Sequence, residues 1–151
     1  MEFTDKFYLR KACEEDMNLL FEWANDPKVR QNAFHTEAIP YEEHQKWFYG
    51  LMKDEKRVQY IFMEENKPVG QIRFTIEGDE AVIGYSIASS MRGKGYGRKL
   101  LSLAQEEFFA SYPMVKKLIG QVKKENMASK KCFTDSGFEE VFTQFELCNH
   151  R

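Results

Sequence analysis

The chain of 151 residues lacks the features that mark several large classes of protein. No stretch approaches the ~20 apolar residues that a membrane-spanning helix needs, and residues 1–10 lack the apolar region of a secretion signal. The formal net charge is −2, and basic residues adjoin one another only in pairs, so no strong positive field would attract nucleic acid. We therefore expect a cytoplasmic protein that binds neither nucleic acid nor a membrane.

Cysteine is scarce as well. The chain has Cys13, Cys132 and Cys148, and no pair of them has the Cys-x-x-Cys spacing. An odd number of cysteines without a secretion signal predicts free thiols in a reducing compartment. The histidines are equally scattered, so no cluster of metal ligands is evident and we expect no metal site.

The length fits one domain over residues 1–151 with a single sizeable core. Two helices are predicted early in the chain, over 15–25 and 41–53, because apolar residues recur there at i, i+3, i+4 and i+7. The polar segment 28–39 between them is expected to be irregular.

Strands are predicted where the pattern changes to alternation, and two further helices lie between the later strands. Strands are predicted over 7–12, 59–63, 69–76, 80–88, 117–122 and 138–147, and later helices over 97–111 and 126–136. Residues 80–88 are apolar at nearly every position, which predicts a strand buried on both faces. This order predicts an α+β domain around a mixed sheet.

The strongest chemical signal is the segment 92–97 between a buried strand and a helix. Three glycines in five residues let the backbone turn tightly, and the following helix N-terminus favours an anion. The segment therefore predicts a phosphate cradle, although a tight turn without a ligand is the alternative. Neither the P-loop nor the dinucleotide-binding glycine pattern fits. The glycines are Gly93, Gly95 and Gly97, and the positive charges around them are Arg92, Lys94 and Arg98.

With these residues the chain resembles the GNAT superfamily of acetyl-CoA-dependent N-acetyltransferases. Arg92, Gly95 and Gly97 match its R/Q-x-x-G-x-G/A signature, and Asn126 to Ser129 with the later Gly-Phe pair resemble its second cofactor motif. The resemblance implies a mostly antiparallel central sheet flanked by helices, with a V-shaped splay between the strands around 80–88 and 117–122. It implies acetyl transfer from acetyl-CoA to a primary amine, without a metal.

The resemblance also implies roles for residues. The amides of 92–97 would hold the pyrophosphate, Ile87 and Asn126 would contact the pantetheine arm, and Ser129 would line the CoA side of the last helix. The alternatives are that Asn126 is only a helix cap and that Ser129 is an exposed helix residue. The implied cofactor-binding residues are Ile87, Arg92, Gly93, Lys94, Gly95, Tyr96, Gly97, Arg98, Asn126, Ser129 and Phe133.

Two positions depart from the family pattern. Many members donate a proton to the departing thiolate from a tyrosine in the last helix, where this chain has Phe133. Some carry a carboxylate base at the position of Ala81, and the adjacent Glu80 should face the other way unless the strand bulges.

Two explanations of catalysis therefore stay open. In one, positioning and backbone amides suffice and water relays the proton. In the other, replacement groups act, with Tyr85, Glu80 and Cys132 as candidates. Tyr85 is preferred because it precedes Ile87 by two residues, although it would equally fit a buried core tyrosine.

The acceptor side is expected in the first two helices and between them. The patterns W-x-N-D-P-x-V-R and E-E-H-x-x-W resemble a branch that includes ribosomal-protein and spermidine acetyltransferases, and still more the enzymes that acetylate nucleotide-linked 4-amino sugars in pseudaminic acid synthesis. Trp23, Arg30 and His44 are the candidate acceptor-binding residues, although a core role for Trp23 and His44 is the simpler alternative. A peptide or polyamine acceptor, and a CoA-binding module without catalysis, are the rival functions.

The end of the chain leaves room for one strand after Gly137, whereas family members often have two. Either the last strand is missing or a partner subunit covers the exposed edge, as in a homodimer.

Overall fold

The computed structural model describes residues 6–149. The strands are β1 (Phe7–Lys11), β2 (Arg57–Glu64), β3 (Lys67–Glu77), β4 (Glu80–Ile87) and β5 (Lys117–Gly120). The helices are α1 (Met17–Ala24), α2 (Pro27–Asn32), α3 (Tyr41–Lys53), α4 (Tyr96–Ser111) and α5 (Met127–Asp135), with 3-10 turns at Glu14–Asp16 and Ser89–Met91. Among these described residues, no helix is long and apolar enough to cross a membrane.

The five strands form one open sheet in the order β1-β2-β3-β4-β5. The first four pair antiparallel, and β5 pairs parallel to β4. The order of strands follows the chain because tight turns join β2 to β3 and β3 to β4, with positive φ angles at Glu65 and Gly78. The predicted α+β architecture with a mixed, mostly antiparallel sheet is confirmed.

Helices cover both faces of this sheet. On one face Phe74 of β3 stacks on Phe108 of α4, with ring centroids 4.0 Å apart. On the other face Phe48 and Leu51 of α3 pack with Ile61 of β2. Alternation along β2 produces this division, since Phe62 packs in the cluster of Phe74 and Ile61 in that of Phe48, and successive side chains of a strand point to opposite faces.

The last two strands separate part-way along their length. β4 and β5 pair from Glu80 and Lys117 to Ile83 and Gly120. β4 then continues to Ile87 paired with β3 but without β5. The ring of Phe133 lies directly on Gly120, where a Cβ atom would come within 2.4 Å of the phenylalanine Cζ. The predicted splay is thus present, and a buried aromatic ring from α5 occupies the point where it opens.

The segment 28–39, expected to be irregular, begins with the short helix α2. Asp26 caps this helix by accepting hydrogen bonds from the amides of Lys28 and Val29, and Pro27 occupies its first turn. The Asn-Asp-Pro sequence therefore ends α1 and also begins α2. The expectation was wrong because it considered only the first of these effects.

The strand predicted over 138–147 is absent. These residues form neither helix nor strand. Phe138 packs against Phe133, but the apolar side chains after it are exposed, with Leu147 97% accessible. Alternation alone does not make a strand, because the backbone groups of a strand need a neighbouring strand to pair with. In the part of the chain that the structure describes, β5 keeps an open edge.

We expect replacement of Gly120 by alanine to lower the free energy of unfolding by about 1–3 kcal/mol, because the added methyl group overlaps the Phe133 ring. Gly50→Ala is the matched control, since Gly50 lies inside α3 and an added Cβ meets only the Arg57 side chain at 3.4 Å. That change should stabilise by about 0.5–1 kcal/mol through helix propensity. Urea denaturation measures both, and equal effects would contradict the close contact at Gly120.

Candidate active site

A cavity of about 860 Å³ opens where β4 and β5 separate. Residues from both faces of β4 line it, including Tyr85 and Ile87 on the α4 side and Gly84 and Ser86 on the α3 side. The cavity therefore reaches through the sheet and has two sides. We call them the loop side, next to α4 and α5, and the helix side, next to α1 to α3.

Two residues of β4 present free backbone groups to this cavity. The amide of Ala88 donates to the carbonyl of Val69 on β3 at 2.9 Å. Because orientation alternates along an antiparallel strand, the amides and carbonyls of Tyr85 and Ile87 point away from β3, toward the separated edge. Within residues 6–149, no strand pairs with β4 along this edge after Ile83. An extended ligand could hydrogen-bond to β4 at this edge, as expected for Ile87.

The glycine-rich loop borders the loop side of the cavity. Gly93 and Gly95 have φ angles of +77° and +80°, a backbone conformation that other residues adopt only with strain. Within residues 6–149, no backbone hydrogen bond uses the amides of 93–97. Several amides at the N-terminus of the 16-residue helix α4 are thus available to a phosphate group.

Arg92 links this loop to the helix side. Its guanidinium donates to the Asp26 carboxylate at 2.8 Å, and the same carboxylate oxygen caps α2. Burial acts to raise the pKa of Asp26, but its hydrogen bonds from Arg92 and from the amides of Val29 and Lys28 lower it overall. The glycine loop and α2 are therefore held together by one charged pair.

Helix α5 contributes the opposite wall of the loop side. The side chain of Asn126 caps this helix by accepting from the amide of Ser129 at 3.2 Å. The hydroxyl oxygens of Ser129 and Tyr85 are 2.9 Å apart. Asn126 is therefore a cap that also lines the cavity, and Ser129 is half-buried rather than exposed.

Tyr85 lies between α4 and α5. Its ring packs edge-on against Phe133, with centroids 5.6 Å apart, and a Cβ on Gly97 would lie 4.0 Å from its hydroxyl oxygen. Burial raises the pKa of this hydroxyl well above its ordinary value, and the hydrogen bond with Ser129 offsets only part of that effect. At neutral pH Tyr85 is protonated, and its hydroxyl shares a hydrogen bond with Ser129 at the cavity wall.

Glu80 lies elsewhere. Its carboxylate is 3.5 Å from the Lys117 ammonium, at the end of β4 away from the cavity, and it does not line the cavity. The pairing of β3 with β4 has no bulge that would turn the Glu80 side chain to the other face of the sheet. The structure thus offers no catalytic position for Glu80.

Two loop residues direct their side chains away from the cavity. Lys94 is exposed and does not line it. Tyr96 lines it, but the hydroxyl of Tyr96 donates to Glu64 at 2.8 Å and its ring packs against Phe7. The other predicted cofactor-binding residues all line the cavity, namely Ile87, Arg92, Gly93, Gly95, Gly97, Arg98, Asn126, Ser129 and Phe133.

Trp23, Arg30 and His44 line the helix side. The ring nitrogen Nε2 of His44 donates to the carbonyl of Met17 at 2.9 Å, and His44 is 3% exposed. Arg30 donates to the carbonyls of Ala24 and His35. Arg30 and His44 thus already make structural hydrogen bonds, and any contact with an acceptor would be additional.

The helix side also contains polar residues that the sequence did not reveal. Gln59, Gln71 and Arg73 line it from β2 and β3. They occupy the polar positions of alternating strands, which in a sequence resemble solvent-facing positions. The expectation that β4 is buried on both faces was also wrong. Only Ala81 and Ile83 of this strand are buried, because its second half lines the cavity.

Residues 6–139 match the model of a protein family described as an acetyltransferase (GNAT) domain. The chain belongs to this GNAT family. It is therefore an acetyl-CoA-dependent acetyltransferase, and the structure brings the cofactor motif and the separated strand edge of the family together in one cavity. Among its described residues, no group of three histidine, cysteine or acidic side chains could hold a metal ion.

Individual relatives support the family assignment. An aminoglycoside N(6')-acetyltransferase type 1 of Klebsiella pneumoniae is 26% identical over 156 residues, covering 93% of this chain and 77% of the relative. The structure of an aminoglycoside acetyltransferase in complex with ribostamycin and coenzyme A is 25% identical, with a TM-score of 0.80 and coverage of 91% and 85% of the two chains. Spermidine N-acetyltransferase of Vibrio cholerae, with CoA and spermine, shares the fold at 18% identity, with a TM-score of 0.83 and coverage of 92% and 84%.

We expect Gly95→Ala in this GNAT protein to weaken CoA binding about tenfold, because a side chain at this φ angle costs about 1–2 kcal/mol and shifts the loop amides. Gly78→Ala is the matched control, since Gly78 also has a positive φ and open space around it but lies in the β3–β4 turn. Both changes should lower stability similarly. Isothermal titration with CoA separates them, and equal affinities of the two variants would contradict a ligand role for the loop.

His44 should make stability depend on pH. Burial lowers its folded-state pKa below the ordinary value of about 6.5, although the hydrogen bond to Met17 acts the other way. The unfolded chain therefore takes up a proton first as pH falls below about 6.5, and the stability that neutral His44 contributes is lost below that value. His44→Gln should reduce the difference between urea midpoints at pH 7.5 and pH 5.5. The same change at the exposed His35 is the control, and an equal reduction there would contradict this origin.

Proposed function

We propose that this GNAT protein transfers the acetyl group of acetyl-CoA to the primary amine of a nucleotide-linked 4-amino sugar. The observation that carries the proposal is the two-sided cavity at the separated edge of β4. Its loop side has the free amides and cations that a CoA pyrophosphate needs, and its helix side is open to a second molecule. The point where β4 and β5 separate lies between the two sides, where thioester and amine would meet.

The residues present fit CoA. The amides of 93–97 and the charge of Arg98 would hold the pyrophosphate, and the outward backbone groups of Tyr85 and Ile87 would bind the pantetheine arm as an added strand does. Asn126 and Ser129 would line the arm from α5. When bound, acetyl-CoA supplies the activated acetyl thioester.

In the transfer, the acceptor nitrogen forms a bond to the acetyl carbon, the carbon–sulfur bond breaks, the nitrogen releases one proton and the sulfur gains one. Tyr85 would supply a hydrogen bond or proton to the sulfur, since its hydroxyl is protonated and lies beside Phe133, where the family tyrosine is absent. Ser129, within hydrogen-bond distance of that hydroxyl, would orient it, and water in the open cavity would return the proton to Tyr85. Cys132 is the alternative donor on the same helix.

The chain needs no strong base for a weakly basic acceptor. An amine with a pKa near ~8 is substantially neutral at physiological pH, whereas a lysine-like amine near ~10.4 needs help to lose its proton. Water in the open cavity would take the proton from such an amine. This favours a sugar amine or a peptide N-terminus over a polyamine.

The charge around the cavity favours the sugar nucleotide. Six cationic side chains line it, namely Lys28, Arg30, Arg73, Arg92, Arg98 and Lys131. Among its described lining residues the one acid is Asp135, which lies 3.6 Å from both Arg98 and Lys131. Three of these cations, Lys28, Arg30 and Arg73, belong to the helix side, where none forms an ion pair among the described residues. Complementary charge guides recognition, so this side suits an anionic acceptor better than a polycation such as spermine.

A protein N-terminus is the second candidate. Phe34 lines the mouth of the helix side and is 64% exposed, so an extended peptide could reach the cavity across it. The N-terminal amine of a peptide has a pKa near ~8, which also suits a site without a carboxylate base.

Mass spectrometry of a mixed acceptor panel tests the proposal. The enzyme with acetyl-CoA would meet a nucleotide-linked 4-amino sugar, spermidine, an aminoglycoside, and alanine- and serine-started peptides. One added acetyl group confined to the amino sugar is the expected result. Acetylation of a peptide instead would support the second candidate. CoA binding without any transfer would indicate a CoA-binding module.

On the best acceptor, we expect Tyr85→Phe to lower kcat at least tenfold, because general acid catalysis contributes about 10²–10⁴-fold and water can replace part of it. Tyr60→Phe is the control. Burial raises the pKa of Tyr60 to about 12, but Tyr60 belongs to the core and does not line the cavity. Equal kcat for wild type and Tyr85→Phe would exclude Tyr85 as the acid.

A further inference from the structure

Arg73 is placed to bind a ligand on the helix side of the cavity. In the sheet it lies between Gln59 of β2 and Gly84 of β4, its register partners on either side. Its guanidinium extends over Gly84, where an added Cβ would be 3.5 Å from Nη2. Gly84 is the first residue of β4 beyond the pairing with β5. The missing side chain at Gly84 thus lets a positive charge reach the opening of the splay.

Arg73 has no anionic partner in the described part of the chain. No carboxylate among the described residues forms an ion pair with it. Its guanidinium lies over the Trp47 ring, with Cζ 5.1 Å from the ring centroid. The neighbouring Arg57 is different, since it is paired with Asp54 at 2.8 Å. Burial and, to a lesser degree, the charge of Arg57 lower the pKa of Arg73. A half-buried guanidinium that stays charged without an anion is unfavourable, and a bound anion would relieve that.

An independent feature lies at the same place. Gln59 is 5% exposed and lines the cavity, and its Oε1 atom has no hydrogen-bond partner in residues 6–149. Its amide nitrogen donates to Gln71 Oε1 at 2.8 Å and to the Ile72 carbonyl at 3.2 Å, which fixes the orientation of the side chain. The Gln59 oxygen is covered by neighbouring atoms and is not open to the cavity, so Gln59 holds Gln71 beside Arg73 and does not itself contact the ligand.

We propose that Arg73 forms an acceptor subsite that binds a carboxylate or phosphate group on its guanidinium. The inference rests on the proposed function and deepens it, because it names the part of the acceptor that the enzyme recognises. The Trp47 ring beneath the guanidinium holds it in place, and its fork of donors suits a two-oxygen anion. Both a nucleotide phosphate and the carboxylate of a short peptide have this chemistry.

Equilibrium binding tests the subsite without any turnover. The enzyme would first be saturated with CoA, so that the glycine loop is occupied, and then titrated calorimetrically with inorganic phosphate and with acetate. We expect wild type to bind one of these anions, Arg73→Gln to lose at least tenfold in affinity, and Arg73→Lys to keep part of it. Arg57→Gln, an arginine outside the cavity lining, is the control and should bind as wild type does. Equal anion binding by wild type and Arg73→Gln would overturn the proposal.

Kinetics then identify the source of the anion. The acceptors would be a nucleotide-linked 4-amino sugar, the dipeptide Gly-Gly, and Gly-Gly amide, which lacks the carboxylate. Arg73→Gln should raise KM about tenfold or more for the anionic acceptor that is used, with kcat within about threefold, and should leave the amide and the Kd for CoA unchanged. Equal losses on the dipeptide and its amide would contradict the assignment. Absence of transfer to every acceptor would refute the proposed function, while the calorimetric result would still decide the subsite.

Discussion

Phe133 of α5 lies on the backbone of Gly120, at the last residue where β5 pairs with β4. The ring covers the face of β5 at the residue where its pairing with β4 ends. Beyond this point the backbone groups of Tyr85 and Ile87 face a cavity instead of a strand. The position that the family often gives to a catalytic tyrosine thus has a structural role here.

Both sides of the cavity are built on the same sheet, and β4 lines each of them. β4 carries Tyr85 toward the glycine loop on one face and Gly84 toward α3 on the other. The pair between Arg92 and Asp26 connects the loop to α2 across the cavity mouth. A change in the loop on cofactor binding would therefore be transmitted to the cap of α2.

Much of this arrangement could be predicted from the sequence, because it is encoded locally. Apolar spacing predicted α1 and α3, alternation predicted β3, and the glycines of 92–97 predicted the loop. Other features depend on tertiary contacts. Residues 138–147 alternate as a strand does but do not pair with the open edge of β5, and Arg73 looks solvent-facing until α3 is placed over it. Glu80 and Tyr85 could be separated only by knowing where the pairing of β4 with β5 ends.

Hydrogen–deuterium exchange during titration with CoA tests the central claim, that the separated edge of β4 and the glycine loop together bind the cofactor. The account predicts slower exchange in the peptides covering 84–88 and 93–97 when CoA is added. The paired half of β4, residues 80–83, and the turn at Gly78 should exchange at unchanged rates. Protection confined to the loop, or protection on β1 and β2 without any at 84–88, would show that the edge of β4 does not bind CoA and would contradict the account.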